Sequence, residues 1–298
     1  MSLVECVPNF SEGRDAANLA PILDAIRSVP GVKLIDHSMD ASHNRAVVTL
    51  VGTPAAASEA AFRAIAEAAR RIDLNRHTGE HPRIGATDVV PFVPLEGSSM
   101  EECIRTAHAL GARVGKELSI PVYFYEAAAR TPARRNLPDV RNIGFEKLRE
   151  AVAADPARVP DEGPRDRLHA SAGATVIGAR NFLIAFNVNL ETEDVAVAKE
   201  IAKKIREKDG GLPGIKAMGF FLDDLKCAQV SMNVCNFEAT GLERVYQEIE
   251  KLAREKGIAI RMSELVGLAP RAALTPGLPE RIRLRDFDPK KQIVEELL

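Results

Sequence analysis

Apolar residues along this chain alternate between two rhythms. Short unbroken runs are separated by stretches in which they recur every three to four positions, the pattern of buried strands alternating with amphipathic helices. Residues 3–7 predict a strand closed by Pro8, and Leu19, Ile22, Leu23 and Ile26 mark one face of a helix that Pro30-Gly31 stops. Residues 32–35 and 46–51 predict two strands flanking a polar loop from His37 to Arg45. Thr53 ahead of Pro54 predicts a capped helix start, with Phe62, Ile65, Ala69 and Ile72 facing inward. Residues 89–93 form the next strand. Ser99 with Glu102 forms a capping box for a helix burying Cys103, Ala107, Leu110 and Val114, and residues 122–125 form a further strand.

The second half repeats this grammar. A strand at 182–186 is followed by a helix that Thr192 opens, using Ala198, Ile201, Ala202 and Ile205. Strands near 217–222 and 228–234 follow. Thr240 with Glu243 then predicts a capped helix carrying Leu242, Val245, Tyr246, Ile249 and Leu252, which Gly257 ends before a strand at 258–260. The order strand-helix-strand-strand-helix-strand occurs once cleanly, and once in the first half with an additional helix and strand. It predicts an α/β (α+β) chain of two ferredoxin-like βαββαβ subdomains, helices outside, with a substrate groove between the sheets. Residues 153–173, rich in proline, glycine and charge of both signs, read either as a solvated linker or as a loop over that groove.

Composition narrows the function classes. At 298 residues the chain can hold two modest cores, and 46% hydrophobic with 28% charged residues is ordinary for a globular protein. A net charge of -2 provides no basic surplus for nucleic acid, and no apolar stretch approaches the roughly 20 residues a membrane helix requires. Cys6, Cys103, Cys227 and Cys235 form no Cys-x-x-Cys pair and read as reduced thiols of a cytoplasmic protein.

Candidate chemistry concentrates in residues 77–88, where two histidines, two carboxylates, an arginine and two glycines precede the strand at 89–93. Gly79, Gly85 and Pro82 forbid a regular helix here, so His77 and His81 do not share the helical face that a metal-ligating pair would use. His81 is the candidate acid/base residue, against the background of exposed loop histidines. Glu80 and Asp88 either orient an imidazole or cap backbone amides. Arg83 has the bidentate geometry to hold a carboxylate, or is solvated. Residues 8–13, including Asn9 and Ser11, and residues 38–45 follow strands of the same half and are expected to converge on this loop, or to serve only their own turns. Arg130, Arg134 and Arg135 form a basic cluster suited to a polyanionic tail or to a solvated loop end.

Three long segments carry a resemblance. Val4-Glu5-Cys6-Val7-Pro8-Asn9-Phe10-Ser11-Glu12-Gly13, Gly79-Glu80-His81-Pro82-Arg83-Ile84-Gly85-Ala86 with Asp88, and Gly173-Ala174-Thr175 through the stretch Phe182–Leu190 resemble the glutamate formimidoyltransferases along nearly the whole chain. The resemblance implies subdomains at 1–177 and 178–298, a homodimer, and His81 as catalytic histidine. It further implies a folate-contacting segment over residues 163–173, including Gly163, Pro164, Ala172 and Gly173. Three features depart from the pattern: the chain reads as a stand-alone form, ending at Leu298 without the cyclodeaminase domain to which animal members are fused; Ala172 stands where animal members carry tryptophan, in a chain with no tryptophan at all; and Pro164-Arg165-Asp166-Arg167-Leu168 differs in polarity.

The implied reaction moves a formimidoyl group from N-formimidoyl-L-glutamate to N5 of tetrahydrofolate, which acts as co-substrate, with no metal. His81 would be oriented by Asp40 or Glu80, and Arg45 and Arg83 would anchor glutamate carboxylates. Rival readings are formyl transfer between 5-formyltetrahydrofolate and glutamate, and a non-catalytic folate or amino-acid sensor. No nucleic acid or membrane partner is expected.

Overall fold

In the computed structural model, which describes all residues except Met1 and His81, the chain divides into two compact units, Met1–Arg180 and Asn181–Leu298.

The first unit is built on one mixed sheet. Its first strand is broken by Pro8 into β1 (Val4–Cys6) and β2 (Asn9–Phe10), because proline has no amide to donate to a ladder. Both pieces lie between β4 (Arg45–Gly52) and β5 (Thr87–Pro94), antiparallel to each, and β3 (Val32–Asp40) pairs with the far side of β4. This is the ferredoxin-like arrangement expected from the sequence. It is extended by β6 (Val122–Glu126) and β7 (Thr175–Ala179), with β7 parallel to both β5 and β6. Helices α1 (Ala16–Arg27), α2 (Pro54–Arg71) and α3 (Met100–Glu117) pack side by side on the sheet, and their predicted apolar faces are buried apart from a partly exposed Ala69.

The short helices α4 (Leu137–Arg141) and α5 (Gly144–Ala151) add Val140, Phe145 and Leu148 to the same core. In the second unit, β8 (Ile184–Leu190), α6 (Val195–Ile205), β9 (Ile215–Leu222), β10 (Cys227–Val234), α7 (Leu242–Arg254) and β11 (Ile260–Val266) form the predicted unit cleanly. The sheet order is β11-β8-β10-β9, antiparallel throughout.

Several local expectations are corrected. The loop at 37–45 is mostly strand: β3 runs to Asp40 because β4 offers it a partner through the pair Asp40–Arg45, leaving only residues 41–44 as a turn. Ser99 accepts from the Glu102 amide, yet the Glu102 carboxylate accepts from Ser2 Oγ at 2.6 Å, so the capping box is half closed. Asp194, not Thr192, caps α6. Gly241 occupies the N-cap of α7, and Glu243 pairs with Arg281 at 2.7 Å instead of reaching back to Thr240. The last strand lies at 260–266, where β8 provides its ladder. The strand β7 is an addition: five fully buried residues without alternation give no periodic signal. No described helix is long and apolar enough to cross a membrane, and all four cysteines are free.

Candidate active site

Three loops of the first unit converge through backbone hydrogen bonds. Ser11 donates its amide to Ala86 O at 2.9 Å and its hydroxyl to Gly85 O at 2.7 Å, fastening residues 9–13 to the 77–88 loop. Asn44 joins all three. Its Oδ1 accepts from the Gly13 amide and its Nδ2 donates to Thr78 O, each at 2.9 Å. Its positive φ of 51° closes the β3–β4 turn, a conformation asparagine tolerates better than most residues. Arg14 Nε adds a bond to Ala41 O, and the Glu80 amide reaches Ser42 O at 3.3 Å.

His77 serves as a strut in this junction. Its Nε2–H donates to Asn44 O and its Nδ1 accepts from Arg83 Nε, both at 2.9 Å, so neither ring nitrogen is open to a substrate. Burial, more than any other influence, lowers its pKa and favours the neutral ring that this pattern requires. Arg83 also donates to His77 O and forms a two-pronged pair with Glu146 at 2.8 and 3.2 Å. Most of its donors are therefore committed to shaping the loop. Asp88, fully buried, accepts from the Ile84 amide and from Arg141 Nη1, both at 2.8 Å. It caps backbone and pairs with a cation, the second of the two roles its position allowed.

The loop's far side rests on residues 169–174. Ala86 N donates to Ala172 O and Ala174 N to Ile84 O, both at 2.9 Å, so Ala172 and Gly173 meet the signature loop through their main chain. Gly163 lies farther along this segment, against Gly115 of α3 and the Ile120 carbonyl, followed by the partly exposed Pro164. Residues 153–173 are not a free linker. Arg134 ties Asp161 at 2.6 Å and Val159 O at 2.6 Å, and Arg130 ties Glu162 at 2.6 Å. Two of the three arginines in the basic cluster are thus clamps for this segment. His108 bonds Ala128 O from its helix face, and His169 accepts from the Ala172 amide.

The remaining candidates differ in what they leave available. Asn9 donates to Val7 O within its own turn. Asp40 holds His43, accepting from its backbone amide at 2.9 Å and from ring Nδ1 at 2.7 Å. Those bonds, the amide first, hold the Asp40 carboxyl below its ordinary pKa. Sequence reasoning assigned no role to His43. Its signal was the spacing Asp-x-x-His, which lets one carboxylate meet both ring and amide across a turn. Arg45 follows, and its buried Nε has no hydrogen-bond acceptor among the described residues. Burial, then repulsion from Arg141, lowers its pKa, while Asp88 and Asp40 attract it electrostatically. An unsatisfied guanidinium nitrogen in such a place is costly unless a ligand completes it. Glu80 is exposed, and His81 lies outside the described residues. Among the described residues no group of three His, Cys, Asp or Glu is placed to hold a metal ion.

The sequence matches the profile of the formiminotransferase domain's N-terminal subdomain over residues 3–180 and that of the formiminotransferase domain over residues 185–278. It is 49% identical to the glutamate formimidoyltransferase of Thermoplasma acidophilum, covering 97% of this chain and 95% of that one. Identity to the glutamate formimidoyltransferase of Streptococcus pyogenes serotype M1 is 45%, covering 99% and 98%. The formimidoyltransferase-cyclodeaminase of Mus musculus is 42% identical, aligning with 99% of this chain over 60% of its own length. With two profiles that together span most of its length, and relatives matched nearly end to end, the chain belongs to the formiminotransferase family of transferase enzymes.

Proposed function

We propose that this chain transfers a formimidoyl group from N-formimidoyl-L-glutamate to N5 of tetrahydrofolate. The reaction belongs to histidine degradation and one-carbon metabolism, carried out by a cytoplasmic homodimer. The observation that carries the reading on this chain is Arg45: a partly buried guanidinium whose buried Nε lacks an acceptor among the described residues, beside a junction of three loops, is suited to the carboxylate of an acidic substrate. Arg83 supports the loop through Glu146 and His77 while Arg45 takes the glutamate carboxylate.

N5 attacks the formimidoyl carbon to give a tetrahedral intermediate, whose collapse releases glutamate. One proton leaves N5 and one reaches the glutamate nitrogen. His81 acts as general acid/base, a role worth about 10²–10⁴ in rate. Its orienting carboxylate is Glu80, its neighbour in the chain, because Asp40 is engaged by His43. Ser11 holds the loop through Gly85 O, and Asn9, two residues before it, completes this substrate-binding segment. The segment containing Gly163, Pro164, Ala172 and Gly173 borders it on the folate side.

The test is a two-substrate assay on purified protein, with product identified by mass. Formimidoyl transfer to tetrahydrofolate is expected. Turnover with 5-formyltetrahydrofolate and glutamate but not with formimidoylglutamate would replace this reading by formyl transfer. Saturable folate binding without turnover would replace it by a sensor.

A further inference from the structure

Resting on that reading, we propose that His43, held by Asp40, is a second proton-transfer residue of the site, and that its Nε2 protonates the departing glutamate nitrogen. The geometry comes from the β3–β4 turn. A carboxylate only accepts, so the 2.7 Å contact fixes the ring with Nδ1–H toward Asp40. Nε2 is then the nitrogen at which protons exchange, on a ring whose side chain is about half exposed. The arrangement is the orienter-and-imidazole half of a catalytic triad, recognised by geometry and not by chain order.

The dyad stands at the site's edge. Gly79 lies so close to the turn that a Cβ there would fall 2.4 Å from His43 O, and the Glu80 amide binds Ser42 O. The residues leading into His81 are therefore stacked on the backbone that carries His43.

Placement relative to the substrate follows from Arg45. Asp40 bonds His43 on one side and attracts Arg45 on the other, opposite which it is paired in the β3–β4 ladder. If Arg45 holds the glutamate carboxylate, His43 is at the amino-acid end of the donor. The transfer requires two proton movements at different atoms. As N5 bonds to the formimidoyl carbon, the C=N electron pair moves onto the imino nitrogen, and the N5 proton passes to His81. When the bond from carbon to the glutamate nitrogen breaks, its electron pair stays on that nitrogen, and His43 Nε2–H supplies the proton. Asp40 balances the positive charge that the ring carries before that step. The N5 proton collected by His81 and the one delivered by His43 cancel through solvent, so the cycle closes without any added reagent.

The experiment measures steady-state formimidoyl transfer by wild type, His43→Ala, His43→Asn, Asp40→Asn and His43→Asn/Asp40→Asn, each with a thermal melt. Both His43 variants are expected to lose about 10²-fold in kcat while keeping the KM for tetrahydrofolate and the melting temperature. Added imidazole should restore about tenfold of the His43→Ala loss, because the ring occupies solvent-accessible space. Asp40→Asn should slow wild type but cost nothing further in the His43→Asn background, since it acts through His43. Near-wild-type kcat in both His43 variants, or equal cost of Asp40→Asn in both backgrounds, would overturn the assignment. A wild-type protein that transfers no formimidoyl group defeats instead the reading beneath it, and is told apart by the wild-type lane alone.

Discussion

Replacing Gly85 by alanine tests whether the signature loop is held by backbone contact. An ideal Cβ at this position would lie 2.0 Å from the Ala174 carbonyl oxygen and 2.5 Å from that of Thr87. Both are backbone atoms in paired segments, so neither can swing aside as a side chain would. Relief requires the 84–86 strip to move off 172–174 by about 1.5 Å, given usual contacts of ~3.5 Å between nonbonded heavy atoms against the 2.0 Å here. That movement sacrifices the bonds Ala86 N to Ala172 O and Ala174 N to Ile84 O, and strains Ser11 Oγ to Gly85 O. At about 1 kcal/mol net for each hydrogen bond, and more where a buried group is orphaned, the loss is about 3 kcal/mol. Gly31 is the control: its φ of +78° penalises any side chain, but nothing lies within 4 Å of its Cβ. Gly31→Ala should therefore cost about 1–2 kcal/mol from left-handed strain alone. Urea unfolding followed by circular dichroism measures both, with transfer activity measured alongside. Gly85→Ala should cost clearly more than Gly31→Ala and lose activity, whereas Gly31→Ala keeps it. Equal stability costs, or a fully active Gly85→Ala, would refute the reasoning.

Further outcomes follow from individual contacts. Arg45→Gln should raise the KM for formimidoylglutamate by about 10–100-fold, the worth of a charge-assisted hydrogen bond, with unchanged stability; an unaltered KM removes Arg45 from the substrate. The folded-state pKa of His77 is lowered by burial, so the unfolded chain binds its proton more readily. Its stabilising contribution is thus complete above the unfolded value of about 6.5 and declines as pH falls below it; His77→Leu should flatten that part of the stability-pH curve. Asp161→Asn disturbs a nearly buried pair with Arg134 and the acceptor of the Phe124 amide, and should cost about 3 kcal/mol while exposing residues 153–173 to protease. Unchanged limited proteolysis would count against the clamp.

Legibility in the sequence divided along the nature of the signal. Helices with a clear apolar face, such as Leu19, Ile22, Leu23 and Ile26 or the α7 series, were readable because burial imposes a period. Caps were less so. Thr192, Thr240 and Glu102 have the right chemistry, but Asp194 and Gly241, one or two residues on, take the first two places, and Ser2, about a hundred residues away, takes the Glu102 carboxylate. The polar half of β3 is held by the ladder to its hairpin neighbour β4, and the short β7 by partners far along the chain; neither pairing leaves a mark on local periodicity. The convergence of residues 8–13, 38–45 and 77–88 could be expected from their all following or preceding neighbouring strands. Which side chain met which could not.

That last distinction separates scaffold from reactive groups. Ser11, Asn44, His77, Arg83 and Asp88 look like a catalytic inventory, yet the hydrogen bonds they make go chiefly to the main chain or to partners that position it. The donors so engaged would have to surrender a contact that holds the loop before they could reach a substrate, which makes these residues better struts than agents. Functional candidates are those with capacity left over: the Arg45 guanidinium, whose Nε lacks an acceptor, and the His43 ring, anchored at Nδ1 alone, both among the described residues. They are separated only by Asn44, the side chain that ties the three loops together. Mutating Asn44 should therefore displace both at once, whereas Arg45→Gln should act on substrate binding and His43→Asn on turnover. That split between KM and kcat is what a rigid turn carrying two independent groups would produce.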